Sequence, residues 1–418
     1  MSSFENTERG RDLEERLLAF MDERVYPAEA VYAEQMAQAG DPVFHPPIVE
    51  ELKEEARSRG LWNLFLPHAT QWTEGLTNSE YAPLAEITGL SPHLAPEALN
   101  CSAPDTGNME LLAMFGTPEQ QEQWLAPLLE GEIRSCFAMT EPDVASSDAT
   151  NIQTSIRREG DEYVINGRKW FTTGPLHPLC RCAIVMGVTD PDPDAPAHAR
   201  HSMVIVPTDT PGMTIVRNVP ILQHLAIEGH CELLFRDCRI PVSNILGAEG
   251  QGFALAQARL GPGRVHHCMR TIGQCELALD LMGGRALERK AFGKPISNYA
   301  NIQDWIAQSR IEIDMTRLLV LRAADALDKR GNKAAKVDVS AIKIAAAQLQ
   351  TRVLDRAIQV FGAMGLTSDT PLAFFFTWGR ALHLFDGPDE VHLRVVARNE
   401  LKRVGGELGK DSRYFTLP

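Results

Sequence analysis

The sequence predicts a mainly α protein with a central β domain. Three observations carry this: apolar residues at helical spacing from Asp12 to about Trp124, short β-type runs around Asn166–Gly167, and a return to helical spacing after Gly252. At 418 residues the chain exceeds what one hydrophobic core usually supports, so three units are expected, 1–133, 134–247 and 248–418.

In the first unit Leu13, Leu17, Leu18, Met21 and Val25 recur at three- and four-residue steps, and Leu52, Ala56 and Leu61 continue the pattern. Pro46-Pro47, Ser91-Pro92 and Thr117-Pro118 punctuate it, the last as a helix start. In the second, Tyr163-Val164-Ile165 and Lys169-Trp170-Phe171 flank Asn166-Gly167, a strong hairpin signal. Runs at 183–188, 203–206, 214–219 and 232–235 then suggest a small antiparallel β-barrel or sandwich, the barrel being the expected form. In the third, Val265, Met269, Ile272, Leu279, Met282 and Ala286 mark one seam, Ile302, Ile306, Ile313 and Val320 a second, and Ile342, Ala345, Leu349 and Val353 a third. A last helix begins after Pro388, giving a four-helix bundle.

Composition excludes several classes. Hydrophobic content of 44% with 23% charged residues is that of a soluble globular protein, and no apolar run is long enough to span a bilayer. A net charge of -14 disfavours nucleic acid and anionic lipid. Acids at Glu8, Asp12, Glu14 and Glu15 fit neither a signal nor a transit peptide, so a cytoplasmic location is expected. The eight cysteines, of which Cys180 and Cys182 lie closest, fit no redox or zinc spacing and read as buried thiols. His266 and His267 point about 100° apart on a helix, so no metal site is expected. Neither a dinucleotide glycine fingerprint nor a phosphate-binding P-loop is present.

One acid stands out. In Leu384-Phe385-Asp386-Gly387-Pro388-Asp389-Glu390-Val391-His392, Asp386 sits against a Gly-Pro turn just ahead of a helix. A carboxylate there is ordinarily a cap, and Asp389 and Glu390 read as first-turn acids. Asp386 is instead the candidate catalytic base, because of the segments that accompany it.

Those segments are Met139-Thr140-Glu141-Pro142, Ser146-Ser147-Asp148, Asn166-Gly167-Arg168-Lys169-Trp170-Phe171-Thr172, Glu288-Arg289-Lys290-Ala291-Phe292-Gly293-Lys294-Pro295-Ile296 and Gln359-Val360-Phe361-Gly362. In this order, over nearly the whole chain, they resemble the acyl-CoA dehydrogenase family. The resemblance implies FAD, with Phe137, Met139 and Thr140 bordering the flavin, Thr140 hydrogen-bonding at its polar edge, Ser147 at the pyrophosphate, Trp170 covering the ring and Thr172 bonding near the redox-active nitrogen. It implies that Arg289, Phe292, Gln359 and Gly362 serve the FAD of a neighbouring subunit, hence a homodimer or homotetramer. Glu390 takes the place of the usual Gln and joins the cofactor-binding set, while Ala300, Ala363 and Pro388 also depart from the family pattern.

The same resemblance places Asp386 where most members carry Glu, like a subgroup with Asp there, and makes Arg264 and Gly387 substrate-side residues. A surface or bundle-capping ion pair is the plainer reading of Arg264. Gly263, before Arg264, offers no rival acid. The implied reaction is α,β-dehydrogenation of an acyl-CoA to the trans-2-enoyl-CoA, with electrons passed to electron-transfer flavoprotein. Its alternatives are processing of 4-phosphorylated hydroxyacyl-CoA, a low-turnover flavin-binding scaffold, and an acyl-CoA oxidase.

Overall fold

The computed structural model describes residues 6–41, 43–67, 69–226 and 229–407. Two compact units result, Met1–Gly263 and Arg264–Pro418.

Unit 1 begins with helices whose starts are written in the sequence. Thr7 caps α1 (Glu8–Phe20) by accepting from the Gly10 amide, and a widened turn leads into α2 (Tyr26–Ala39). After α3 (Pro47–Ser58), α4 (Asn78–Thr88) opens on a capping box between Thr77 and Glu80. The short α5 (Ala95–Ala98) precedes α6 (Asp105–Phe115), and the predicted start at Thr117 is a second capping box, with Gln120, leading into α7 (Pro118–Gln120) and, past another widened turn, α8 (Ala126–Leu129). Leu13, Leu17, Met21, Val25, Leu52, Ala56 and Leu61 of the predicted stripes are buried, whereas Leu18 is exposed.

The β part corrects the sequence reading in two ways. Strands β1 (Arg134–Ala138), β2 (Ser155–Glu159), β3 (Glu162–Thr173), β4 (Cys180–Val188), β5 (His201–Pro207), β6 (Met213–Asn218), β7 (His230–Pro241) and β8 (Ile245–Leu246) form an open sheet ordered β6-β7-β3-β2-β4-β5-β8, with β1 beside β4. It is not a closed barrel, and it is not wholly antiparallel: β1 and β2 both run parallel to β4. Second, Asn166–Gly167 is no turn. It lies inside β3, where Asn166 bonds Asp237 across to β7 and a side chain on Gly167 would strike Thr154, so close backbone approach explains the glycine. The actual turn is Gly160–Asp161, between paired Glu159 and Glu162, with Gly160 at φ 64. Cys136, Ile156, Ile165, Val185, Val204, Leu233 and Phe235 fill the core of the sheet.

The division between units falls within α9 (Gly252–Glu288). In unit 2 a two-residue hairpin joins β9 (Lys290–Ala291) to β10 (Lys294–Pro295), and α10 (Ala300–Phe361), α11 (Leu372–Leu382) and α12 (Asp389–Glu407) follow. The predicted second and third seams lie on two successive helices within α10, which meet at Gly331, whose φ of 74 and ψ of 168 are not helical. Both α11 and α12 pack on α10. Among the described residues no helix is long and apolar enough to cross a membrane.

Candidate active site

In unit 1 the loop after β1 is pinned onto β3. Lys169, fully buried, donates from Nζ to the Met139 carbonyl at 2.8 Å and pairs with Glu141 Oε1 at 2.9 Å, while the Trp170 amide donates to the Thr140 carbonyl at 3.0 Å. Burial lowers the Lys169 pKa to about 8 against the pull of Glu141. Glu141 resists its own burial because Lys169 and the amides of Gln153 and Thr154 favour the carboxylate, which stays below its usual range. Met139, Thr140 and Trp170 are thus brought together.

A bulge then aims the next side chains. Lys169 pairs with Leu233 but Thr172 with Cys231, so β3 has one residue too many, and Phe171 absorbs it at φ 48. Trp170 Nε1 and Thr172 Oγ1 are buried without a hydrogen-bond partner among the described residues. Unmet buried donors are uncommon and call for a ligand or an ion. A flavin supplies acceptors of that kind, so Trp170 and Thr172 fit the cofactor. Phe137, on β1, is only partly buried and carries the Arg259 guanidinium 3.9 Å from its ring centroid. Ser147 is exposed, in a loop closed by the Glu141 amide donating to Ser146 Oγ. A cavity of about 770 Å3 beside this loop is lined by Ala145, Thr150, Asn151, Arg157 and Arg200, and by none of the predicted site residues.

In unit 2 the turn between α11 and α12 holds Asp386 in the left-handed region at φ 54, followed by Gly387 at φ 102. Asp tolerates this conformation better than most residues, at about 1 kcal/mol. What keeps it there is its carbonyl, which accepts from Arg264 Nε at 2.9 Å and lies 3.2 Å from His392 Nε2. A carbonyl only accepts, so His392 carries its proton on Nε2, leaving Nδ1 to accept from Ser340 Oγ at 3.2 Å. Burial lowers the His392 pKa to about 4, so the ring is neutral at neutral pH. The Asp386 carboxylate lies 3.6 Å from His267 Nε2, and its side chain is 19% exposed. Phe385 beside it packs against His267 and Trp378, with Lys343 Nζ 5.2 Å from its ring. Lys343 donates to the Leu382 carbonyl, and burial pulls its pKa down against Asp386.

The structure therefore unites Asp386, Gly387 and Arg264, and it gives Arg264 a contact of its own: the backbone of Asp386 rather than a surface ion pair. Asp389 accepts from His383 Nδ1 at 2.6 Å and ties the turn together. The remaining predicted residues of unit 2 stand apart. Arg289, Gln359, Gly362 and Glu390 are exposed, and Phe292, on the β9–β10 turn, is 99% exposed. Sequence reasoning missed His392, Ser340 and His267. The signal for His392 was its spacing, since six residues after Asp386, across a Gly-Pro turn, is where the first turn of a helix brings a side chain back over that turn.

Comparison with known proteins fits this arrangement. Residues 136–238 match the family described as "Acyl-CoA dehydrogenase, middle domain", and residues 250–401 match "Acyl-CoA dehydrogenase, C-terminal domain". The chain belongs to the acyl-CoA dehydrogenase family. It is 57% identical over 94% of its length to the Mycobacterium tuberculosis protein named "Probable acyl-CoA dehydrogenase FadE2", covering 95% of that relative. Mouse acyl-CoA dehydrogenase family member 10 is 52% identical over 94% of this chain, which spans only 37% of that longer relative. A solved structure from Mycobacterium abscessus superposes with a TM-score of 0.91 at 49% identity, covering 96% of this chain and 100% of that one. Members of the acyl-CoA dehydrogenase family are oxidoreductases.

Proposed function

We propose that this acyl-CoA dehydrogenase carries out FAD-dependent α,β-dehydrogenation of an acyl-CoA thioester to the trans-2-enoyl-CoA, with Asp386 as the base and electron-transfer flavoprotein as the acceptor. The observation that carries the proposal is the clamped left-handed turn at Asp386, which fixes a carboxylate by its backbone. When bound, FAD supplies the acceptor for the β-hydride.

The chain's own residues do the rest. Trp170 and Thr172 would offer their unmet polar atoms to the flavin, which Phe137, Met139 and Thr140 would border, with Ser147 at the pyrophosphate. The Asp386 carboxylate takes the α-proton, which is weakly acidic, so the base has to be held close. Gly387, lacking a side chain, lets the thioester approach the turn. Acyl chains that exclude water raise the proton affinity of the carboxylate, the direction that proton removal needs. On unit 2, Arg289, Phe292, Gln359 and Gly362, with Glu390, are exposed for the FAD of a second subunit in a cytoplasmic homodimer or homotetramer.

A second reading is favoured by charge. Arg264 and Lys343 both bring a cation near Asp386. A phosphoryl group is a partner that such cations favour, which suits the 4-phosphorylated hydroxyacyl-CoA alternative. Anaerobic titration of the yellow protein with straight, branched, 4-hydroxylated and 4-phosphorylated acyl-CoAs, following bleaching of the flavin band, tests both. Bleaching is expected with at least one class, and a preference for the phosphorylated one selects the second reading. A colourless protein returns the scaffold, and rapid reoxidation by dioxygen returns the oxidase.

A further inference from the structure

We propose that His392, backed by Ser340, is a positioning residue for the base: it holds the 386–387 peptide so that the short Asp386 side chain stands where the α-proton is removed. The inference rests on Asp386 being the base, and it adds the device that places it.

An aspartate reaches about 1.5 Å less far than a glutamate, and a displacement of about 1 Å at a reacting centre can cut a rate by about 100-fold. The backbone of residue 386 therefore has to be fixed more tightly than its side chain alone would require. Four observations show how. The Asp386 carbonyl meets two donors, Arg264 Nε at 2.9 Å and His392 Nε2 at 3.2 Å, which together set the plane of the 386–387 peptide. Ser340 Oγ, 3.2 Å from His392 Nδ1, keeps the proton on Nε2, where the carbonyl needs it. His392 is buried on its helix, with its own amide bonded to the Pro388 carbonyl, so the ring cannot move without unwinding the first turn. Finally, a Cβ on Gly387 would lie 2.9 Å from His392 Nε2, so the imidazole packs directly on the glycine and bars the turn from closing toward a right-handed form.

Removing the ring leaves the Asp386 carbonyl to Arg264 alone and opens space over Gly387. The turn relaxes and the carboxylate retreats, while the flavin-side groups of unit 1 stay in place. Glutamine carries an amide N-H at a reach similar to imidazole Nε2 and restores the bond to the carbonyl. Ser340→Ala leaves the ring but frees its tautomer, giving a smaller loss in the same direction.

The test uses the holoenzyme and a redox-inert acyl-CoA with sulfur at the β position, which keeps an acidic α C-H but has no β-hydride to lose. Exchange of its α-protons into D2O, followed by NMR, reports the base alone. His392→Ala is expected to slow exchange by about 100-fold, with FAD stoichiometry unchanged and analogue affinity altered far less than the rate, and His392→Gln to recover most of the rate. Should His392→Ala fail to fold, the Gln and Ser340→Ala variants carry the measurement. Wild-type exchange in His392→Ala or, where that variant does not fold, in Ser340→Ala overturns the proposal, as does a Gln variant that recovers nothing. Asp386→Asn separates the two layers: if it exchanges at the wild-type rate, the base assignment itself is wrong, whereas a silent Asp386→Asn beside an unimpaired His392→Ala removes only the clamp.

Discussion

In unit 1, Glu97 and Asp105 both direct their carboxylates at one guanidinium, that of Arg134, and Lys53 adds a second cation to Glu97 at 3.1 Å. In unit 2, Asp386 is gripped through its carbonyl, and its carboxylate lies 3.6 Å from His267 Nε2. Arg134, Glu97 and Asp105 are all buried, and Asp105 also accepts from the Ser135 amide at 2.6 Å. Burial opposes charge on Glu97, but Arg134 and Lys53 override it and hold its carboxyl well below the usual range. For Asp105 burial prevails over Arg134, and its pKa is raised. The contrast teaches how an acid is used here. Glu97 and Asp105 are engaged through their side chains, whereas Asp386, the proposed base, is also held through its backbone.

The comparison can be broken at either end. Arg134→Met should be the most damaging change to the fold, because it strands two buried carboxylates; a loss of about 3–5 kcal/mol is expected in urea unfolding, and a loss within error would show that the cluster does not hold unit 1 together. Lys169→Met should act similarly on the loop carrying Met139 and Thr140, leaving Glu141 buried without its cation, with about 3 kcal/mol lost and FAD bound more weakly in equilibrium dialysis. Gly387→Ala should cost about 1–2 kcal/mol through its positive φ and the clash with His392, yet slow flavin reduction far more than it shifts the unfolding midpoint.

A pH-dependent effect concerns Glu110, buried with Oε1 unpartnered among the described residues, where burial raises the pKa to about 8 despite Arg259. In the unfolded chain this group ionises near pH 4.5, so between about pH 4.5 and 8 the folded state holds the extra proton and stability falls as pH rises. Glu110→Gln should flatten that decline. Unfolding midpoints at about pH 5 and about pH 8 check it, and an unchanged slope would mean that Glu110 is ionised in the fold.

Much of this architecture was legible because helices announce themselves. The stripes through Leu17, Met21 and Val25, and through Ile342, Leu349 and Val353, are buried as their spacing requires, and Thr117 caps the helix it was expected to start. Strand pairing was not legible. Asn166–Gly167 satisfies the rule for a hairpin, yet the same pair suits a strand in which Asn166 bridges to Asp237 and Gly167 passes Thr154, and only tertiary contacts decide between them. Nor was the parallel pairing of β1 and β2 with β4 legible, because alternation along a single strand does not encode strand order. At the site, the motifs pointed to Asp386, Trp170 and Thr172, but not to the groups that hold them. Lys169 and His392 are buried through partners distant in sequence, Glu141 and Ser340, and a lone charged or polar residue carries no local mark of such pairing.

The central claim is that Asp386 removes the α-proton. Rapid-mixing of Asp386→Asn holoenzyme with the acyl-CoA that best bleaches the wild type measures it directly. FAD should remain bound at full stoichiometry while substrate-driven flavin reduction falls by about 1,000-fold or more. Reduction at the wild-type rate would contradict the account.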